Sequence, residues 1–379
     1  MSRVLELPAL ATAHSHAFQR GMRGLAQRPG PTGTDDFWTW RQAMYALAGS
    51  LDPESIRRIS LVAFRELARR GVLTVGEFHY VHHGADGTPY ADRTVLSDAV
   101  IDAALEAGLR IALLRTIYHR AGAGRPPEGA QRRFSDAKLE DALGDVDTLR
   151  AKYAGHPSVK VGVAPHSVRA VPPDWLSQIA AYARTHDLPL HMHVAEQPAE
   201  IAACLAETGK RPVELLADLG VLGPRFVAVH ATHLAPHEPL LFGAAGAGVC
   251  LCPTTERDLG DGHPDLTALV ASGVALSLGI DSHVATAPLE DLRGVELGER
   301  LRTGRRVVAR GATAETPAAW LWRIGSIESA RAVGFEDAGG VTLIDRDHPD
   351  LALVEDDAVL DAVVFGAQAD VVTGVRRAP

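Results

Sequence analysis

Cysteine is scarce in this chain, with only Cys204, Cys250 and Cys252 among 379 residues. Three cannot frame a disulfide scaffold of this length, so the sequence predicts a reducing compartment, the cytoplasm. Basic runs are missing as well. With a formal charge of −9 and no clustered Lys or Arg, nucleic acid is excluded as a partner, because neutralising phosphates needs such clusters. No apolar run approaches the length of a membrane span, and the opening MSRVLELPAL lacks the charged stretch and long apolar run of a secretion signal. Neither a membrane partner nor export is expected. Asparagine is absent and Arg greatly outnumbers Lys, a compositional bias that carries no mechanism. What is present is 46% hydrophobic and 22% charged residues, the balance of a globular chain able to bury a sizeable core. A small molecule is the partner that remains.

Short β-branched runs alternate with longer amphipathic stretches, the pattern of parallel strands joined by crossover helices. Eight strands are predicted: the segment ending at His14 to His16, then Val72 to Phe78, Arg110 to Tyr118, Val159 to Pro165, Leu188 to Glu196, Phe226 to Thr232, Gly248 to Pro253 and Val274 to Asp281. Between them, Pro53 to Arg70 carries an apolar stripe of Ile56, Ile59, Ala63 and Leu67, stopped by Gly71; segments 92 to 107 and 174 to 187 read similarly. Eight such units close into a (β/α)8 barrel with its site at the C-terminal strand ends. An open doubly wound sheet is the alternative, but the glycine-rich dinucleotide fingerprint after the first strand is missing. Past Pro288 two helices follow (Leu289 to Arg302, Thr316 to Val333), then strand-like pieces at Val341 to Ile344 and Val359 to Phe365. The predicted division is a barrel over 1–335 and a reduced small β appendage of 336–379 with residues 1–10. The Gly/Pro-rich stretches 28 to 34 and 121 to 130 are expected as long loops over the site.

Polar residues recur at one predicted rim. His14 and His16 alternate onto one side of the first strand, His191, His193 and Glu196 follow on the fifth, His230 ends the sixth and Asp281 the eighth. Neutral imidazoles and a carboxylate are ligands that Zn2+ favours, which assigns His14, His16, His193 and Asp281 to one metal ion, zinc, with iron or manganese able to use the same donors. A metal-activated water attacks an sp2 carbon. Asp281 takes its proton, Glu196 protonates the substrate nitrogen and His230 positions the nucleophile. Cys250 and Cys252 read as small buried hydrophobes, Phe37, Trp38 and Trp40 as packing for a lid loop, and His79, His82, His83 and His119 as loop residues without a metal role; His191 is expected to support the ligands.

HxH, HxHxxE, a strand-six His and a strand-eight Asp in this order resemble the mononuclear deaminase branch of the amidohydrolase superfamily, over residues 14 to 283. The words HSHAFQR, DDFWTWR, EFHYVHH, APHSVRAV, HMHVAEQ, VHATH and CPTTERDLGDG are similar to those of the N-formimidoylglutamate deiminases. That resemblance implies hydrolytic deimination of N-formimidoyl-L-glutamate to N-formyl-L-glutamate and ammonia in histidine degradation, by a homodimer. It also implies that Gln19, Arg41, Tyr80, His166 and Arg169 hold the substrate's carboxylate-bearing portion, with Arg41 in a long loop. The chain departs from the family in a reduced N-terminal β segment, a shortened C-terminal one, Ala13 in place of an Asn, and Arg257 and Asp258 where an Asn follows CPTTE. The alternatives are a deaminase for guanine, cytosine or an adenosine derivative, which needs no carboxylate clamps, and an inactive paralogue.

Overall fold

The computed structural model describes residues 3–28, 36–311 and 315–378. After a short strand β1 (Val4–Pro8), eight strands run parallel in the order of the chain: β2 (Leu10–Ser15), β3 (Val72–His79), β4 (Arg110–Ile117), β5 (Val159–Pro165), β6 (Leu190–Val194), β7 (Phe226–His230), β8 (Gly248–Leu251) and β9 (Ala275–Leu278). All eight predicted strands are present. Residues on both faces of β2, β3 and β6 are buried throughout, as expected of parallel strands covered by crossover helices. The ring is drawn shut at its rim, where His16 N donates to Asp281 O (2.9 Å) and Asp281 N donates to His14 O (3.1 Å). The closing seam therefore runs through three residues assigned to the metal.

Among the helices are α1 (Phe37–Ser50), α2 (Pro53–Arg69), α3 (Val95–Glu106), α4 (Leu139–Lys152), α5 (Pro173–Thr185) and α6 (Pro198–Thr208). In α2 the Asp52 carboxylate accepts from Ser55 N, and Gly71, at φ +89°, turns the chain into β3. Ile56, Ala63, Phe64 and Leu67 are its buried apolar residues. Gly279 is needed for space: a Cβ there would lie 2.8 Å from His14 Cβ and 2.7 Å from Cys252 Sγ. Below the rim, Ala11, Ala13, Val229, Cys250 and Cys252 pack against Ala330, Val333 and Phe335. The residues expected as one helix over Thr316 to Val333 form Pro317–Arg323, a π turn Ile324–Glu328 and Ser329–Ala332.

β1 and two later strands, β10 (Gly340–Asp345) and β11 (Val372–Arg377), form an antiparallel sheet in the order β1-β10-β11. Val359–Phe365, expected as a strand, is a helix. Its buried residues Val359, Val363 and Val364 are spaced four and five apart, which makes one helical face and no strand alternation. Most of the predicted loop 28 to 34, with Asp35, lies outside the described residues; within 121 to 130 an Ala121–Arg125 turn leads to a 3-10 turn beginning at Gly129. Among the described residues no helix is long and apolar enough to cross a membrane.

Candidate metal and substrate site

The ends of β2, β6 and the loop after β9 bring four donors to one point. His14 Nε2 lies 3.1 Å from His16 Nε2 and 3.2 Å from His193 Nε2, and Asp281 Oδ1 lies 3.4 Å from both His14 and His16 Nε2. A tetrahedral ion with bonds of about 2.0–2.1 Å has ligand-to-ligand edges of about 3.3–3.4 Å, so the spacing fits such an ion. The tautomers fit as well. His16 Nδ1 is 2.8 Å from Phe78 O and His193 Nδ1 is 3.2 Å from His166 O. A carbonyl only accepts, so the proton sits on Nδ1 and each Nε2 lone pair faces the common point. Lone pairs facing each other at this distance repel unless a cation lies between them. Burial, the largest cause, pushes the His14 imidazole down to about 3, which keeps it in the neutral, ligating form. The protein is therefore built to hold a metal cofactor.

His230 ends β7 and is surrounded by carboxylates. Its Nδ1 lies 3.3 Å from Glu256 Oε1, and its Nε2 lies 3.7 Å from both Glu196 Oε1 and Asp281 Oδ2. Burial opposes its charge, but Glu196, Glu256 and Asp281 outweigh it and hold the imidazole protonated well above its usual range. Glu256 Oε1 also accepts from Cys252 N at 2.9 Å, which fixes the carboxylate. Burial pushes Glu196 up to about 8; His230 opposes the shift and the neighbouring Asp261 adds to it. Glu200 accepts from the backbone N–H groups of Ala195 and Glu196, both at 3.2 Å, and so secures the turn that aims Glu196. Ala195, His230, Ala231, Asp281 and His283 all adopt left-handed φ between +52° and +71°. Such strain in non-glycine residues collects where surrounding structure enforces a functional geometry.

A cavity of about 190 Å3, sized for a metabolite and not for a polymer, opens over this cluster. Gln19, Arg41, Tyr80, His166 and Arg169 all line it, together with Glu196, His230 and Asp281. Gln19 Nε2 donates to Tyr80 OH at 2.7 Å. Arg41 is not in a loop: it lies in α1, where Asp36 accepts from Trp38 N and Thr39 N and starts the helix. Its guanidinium rests over the Trp38 ring at 4.3 Å, so the aromatic residues expected in a lid loop form a helical wall. Burial, together with the like charge of Arg169, lowers the Arg41 pKa. Among the described residues neither guanidinium has a carboxylate partner, and the one side-chain hydrogen bond from either is Arg169 Nη1 to Tyr118 OH, 3.1 Å.

His82, His83 and His119 bond the backbone carbonyls of Thr116, Ser135 and Asp136, away from the metal ligands. His79 belongs to the end of β3 and is no loop residue. His191 does not support the ligands as expected; its Nε2 is 2.8 Å from Ala332 O, so it ties β6 to the chain beneath the barrel. Both barrel cysteines are buried. Sequence reasoning missed Glu256, Glu200, Tyr118, Tyr45 and Gln131. Only Glu256 had a signal, its place in the word CPTTE.

The sequence profile of the amidohydrolase family matches residues 6–376. A formimidoylglutamate deiminase of Pseudomonas aeruginosa is 38% identical over 371 residues, covering 95% of this chain and 80% of that protein. An 8-oxoguanine deaminase of the same organism is 30% identical, covering 97% and 77%. The crystal structure of an amidohydrolase from Brucella melitensis superposes with a TM-score of 0.86 at 35% identity, covering 97% and 84%. The fold, the converging ligands and these likenesses agree: the chain belongs to the amidohydrolase family, as a metal-dependent hydrolase.

Proposed function

We propose that the protein hydrolyses N-formimidoyl-L-glutamate to N-formyl-L-glutamate and ammonia. The observation that carries this reading is the pair of guanidiniums, Arg41 and Arg169, facing the cavity without a carboxylate partner among the described residues. Buried cations without counter-ions call for an anionic ligand, and Arg forks match carboxylates. The relative with 38% identity bears the name of that activity.

The donor set of three neutral imidazoles and one carboxylate suits a single zinc ion, held by His14, His16, His193 and Asp281. When bound, the ion supplies Lewis acidity that brings the pKa of a water toward neutrality. Asp281 accepts that water's proton as oxygen adds to the formimidoyl carbon. Glu196, protonated by virtue of its burial, gives its proton to the nitrogen. The proton held by Asp281 then passes to the resulting amino group, Glu196 takes the proton of the new hydroxyl, the C–N bond breaks, ammonia leaves and a formyl C=O remains, with both carboxyl groups returned to their starting states. The charged His230 stabilises negative charge developing beside Asp281. Gln19, Tyr80 and His166 bind the body of the substrate between these groups and the arginines.

The reading extends to the cytoplasm, where the buried, unpaired cysteines stay reduced, and, by the same resemblance, to a homodimer, which sedimentation would check. The functional test is ammonia release by zinc-loaded protein from N-formimidoyl-L-glutamate beside guanine, cytosine and 8-oxoguanine. Selective release from the first is expected; release from a neutral heterocycle alone overturns the reading.

A further inference from the structure

Tyr118, just past the end of β4, lines the cavity and is only 2% exposed. Its hydroxyl oxygen accepts from Arg169 Nη1 at 3.1 Å and from Gln131 Nε2 at 3.2 Å. The direction of both bonds is forced. A guanidinium has only donors, and the Gln131 amide is turned with its NH2 toward Tyr118 because its Oε1 accepts from Glu128 N at 3.0 Å. A phenol has one proton and two lone pairs. Both lone pairs of Tyr118 are occupied, so its proton has to point elsewhere, and among the described residues nothing accepts it. A buried O–H with no acceptor is costly unless a ligand supplies one. The same Gln131 NH2 donates to Tyr45 OH at 3.1 Å, on the α1 wall that carries Arg41.

We infer that Tyr118 is a carboxylate-binding residue of the cavity, donating its O–H to the anion that Arg169 pairs with, and that Gln131 is a positioning residue that aims it. This inference deepens the formimidoylglutamate reading and rests on it for the identity of the anion. Gln131 does not line the cavity; it acts from behind, by filling one lone pair of Tyr118 so that the proton faces the ligand. The cavity thereby offers a carboxylate more than charge. A neutral group in its place would accept the Tyr118 proton but leave Arg169 unpaired, so the class of substrate is a formimidoyl amine bearing acid groups.

Tyr118→Phe removes the hydroxyl and keeps the ring against His166, whose centroid is 5.1 Å away. Losing a hydrogen bond to a charged acceptor should raise KM for N-formimidoyl-L-glutamate about 10- to 100-fold, with the change falling on KM and not on kcat. The inhibition or dissociation constant of glutarate should rise by a similar factor, measured by calorimetry on the zinc-loaded protein. Gln131→Met should weaken glutarate binding in the same direction by a smaller factor. An analogue with both carboxylates amidated still offers carbonyl acceptors but no charge, so it should discriminate parent from Tyr118→Phe by a smaller factor, about two- to tenfold. Unchanged KM and glutarate affinity in a folded Tyr118→Phe protein overturns the inference, as does an equal loss on the amidated analogue. If the parent deiminates none of the substrates yet binds glutarate through Tyr118, the inference stands and the substrate reading falls. A parent that neither turns over nor binds glutarate overturns both.

Discussion

Replacing Glu196 by Gln isolates the proton from everything else the residue does. The carboxyl sits 3.7 Å from His230 Nε2 and is pushed up to about 8 by burial, which favours the protonated form that the leaving nitrogen needs near neutral pH. Gln keeps the size and the hydrogen-bonding head but cannot give up a proton to become an anion. Positioned acid–base groups contribute about 10²- to 10⁴-fold, or roughly 3–5 kcal/mol of barrier, so kcat should fall by that factor. The metal should stay, because the four converging donors are His14, His16, His193 and Asp281, and none is Glu196. The pH profile provides a second reading. The acid is competent while protonated, so parental kcat should decline as pH rises through about 8, whereas the variant should be flat across the same window. The assay is ammonia release over pH 6 to 9 beside metal content by mass spectrometry. A fully metal-loaded variant within about tenfold of the parent would refute the assignment.

Arg169→Met removes an unpaired cation facing the cavity and should raise KM on the order of 100-fold while leaving a carboxylate-free analogue unaffected; steady-state kinetics on both substrates checks it. Glu256→Gln keeps an acceptor for Cys252 N but takes the charge from His230 Nδ1, so kcat should drop about 10- to 100-fold at full metal content. Away from the chemistry, Arg115 is 1% exposed and bonds both Asp136 and Asp145. Asp136→Asn leaves that buried cation half paired and should cost about 3 kcal/mol of stability, read as a lower midpoint in chemical denaturation. An unchanged midpoint would refute the role of this ion cluster in stability.

The parallel strands were legible because each is a short apolar run between helical stripes, a signal local to a few residues. His14, His16, His193, Glu196, His230 and Asp281 were legible for a related reason. Chain order fixes the strand end at which each residue falls, and alternation within β6 fixes the face of His193, whereas His16, Glu196 and Asp281 lie just past their strands and are aimed by the turns that follow. Arg41 was misplaced because its helix begins at a polar cap beside a glycine-rich stretch that reads as loop. Val359–Phe365 was misread because a run of apolar residues suits strand or helix, and only the four-residue spacing of its buried positions decides between them.

What the sequence determined by itself is therefore the periodic part of the protein: strands, crossover helices, and the strand end at which each ligand falls. Tertiary structure decided everything that depends on distance between residues far apart in the chain. The seam that joins His14 to Asp281, the carboxylates that charge His230, and the Glu128–Gln131–Tyr118–Arg169 chain of hydrogen bonds have no pattern in the sequence. Hydrogen-bond direction and charge depend on donors, acceptors and burial meeting within a few ångströms, and loops of irregular length bring them together only once the barrel has closed.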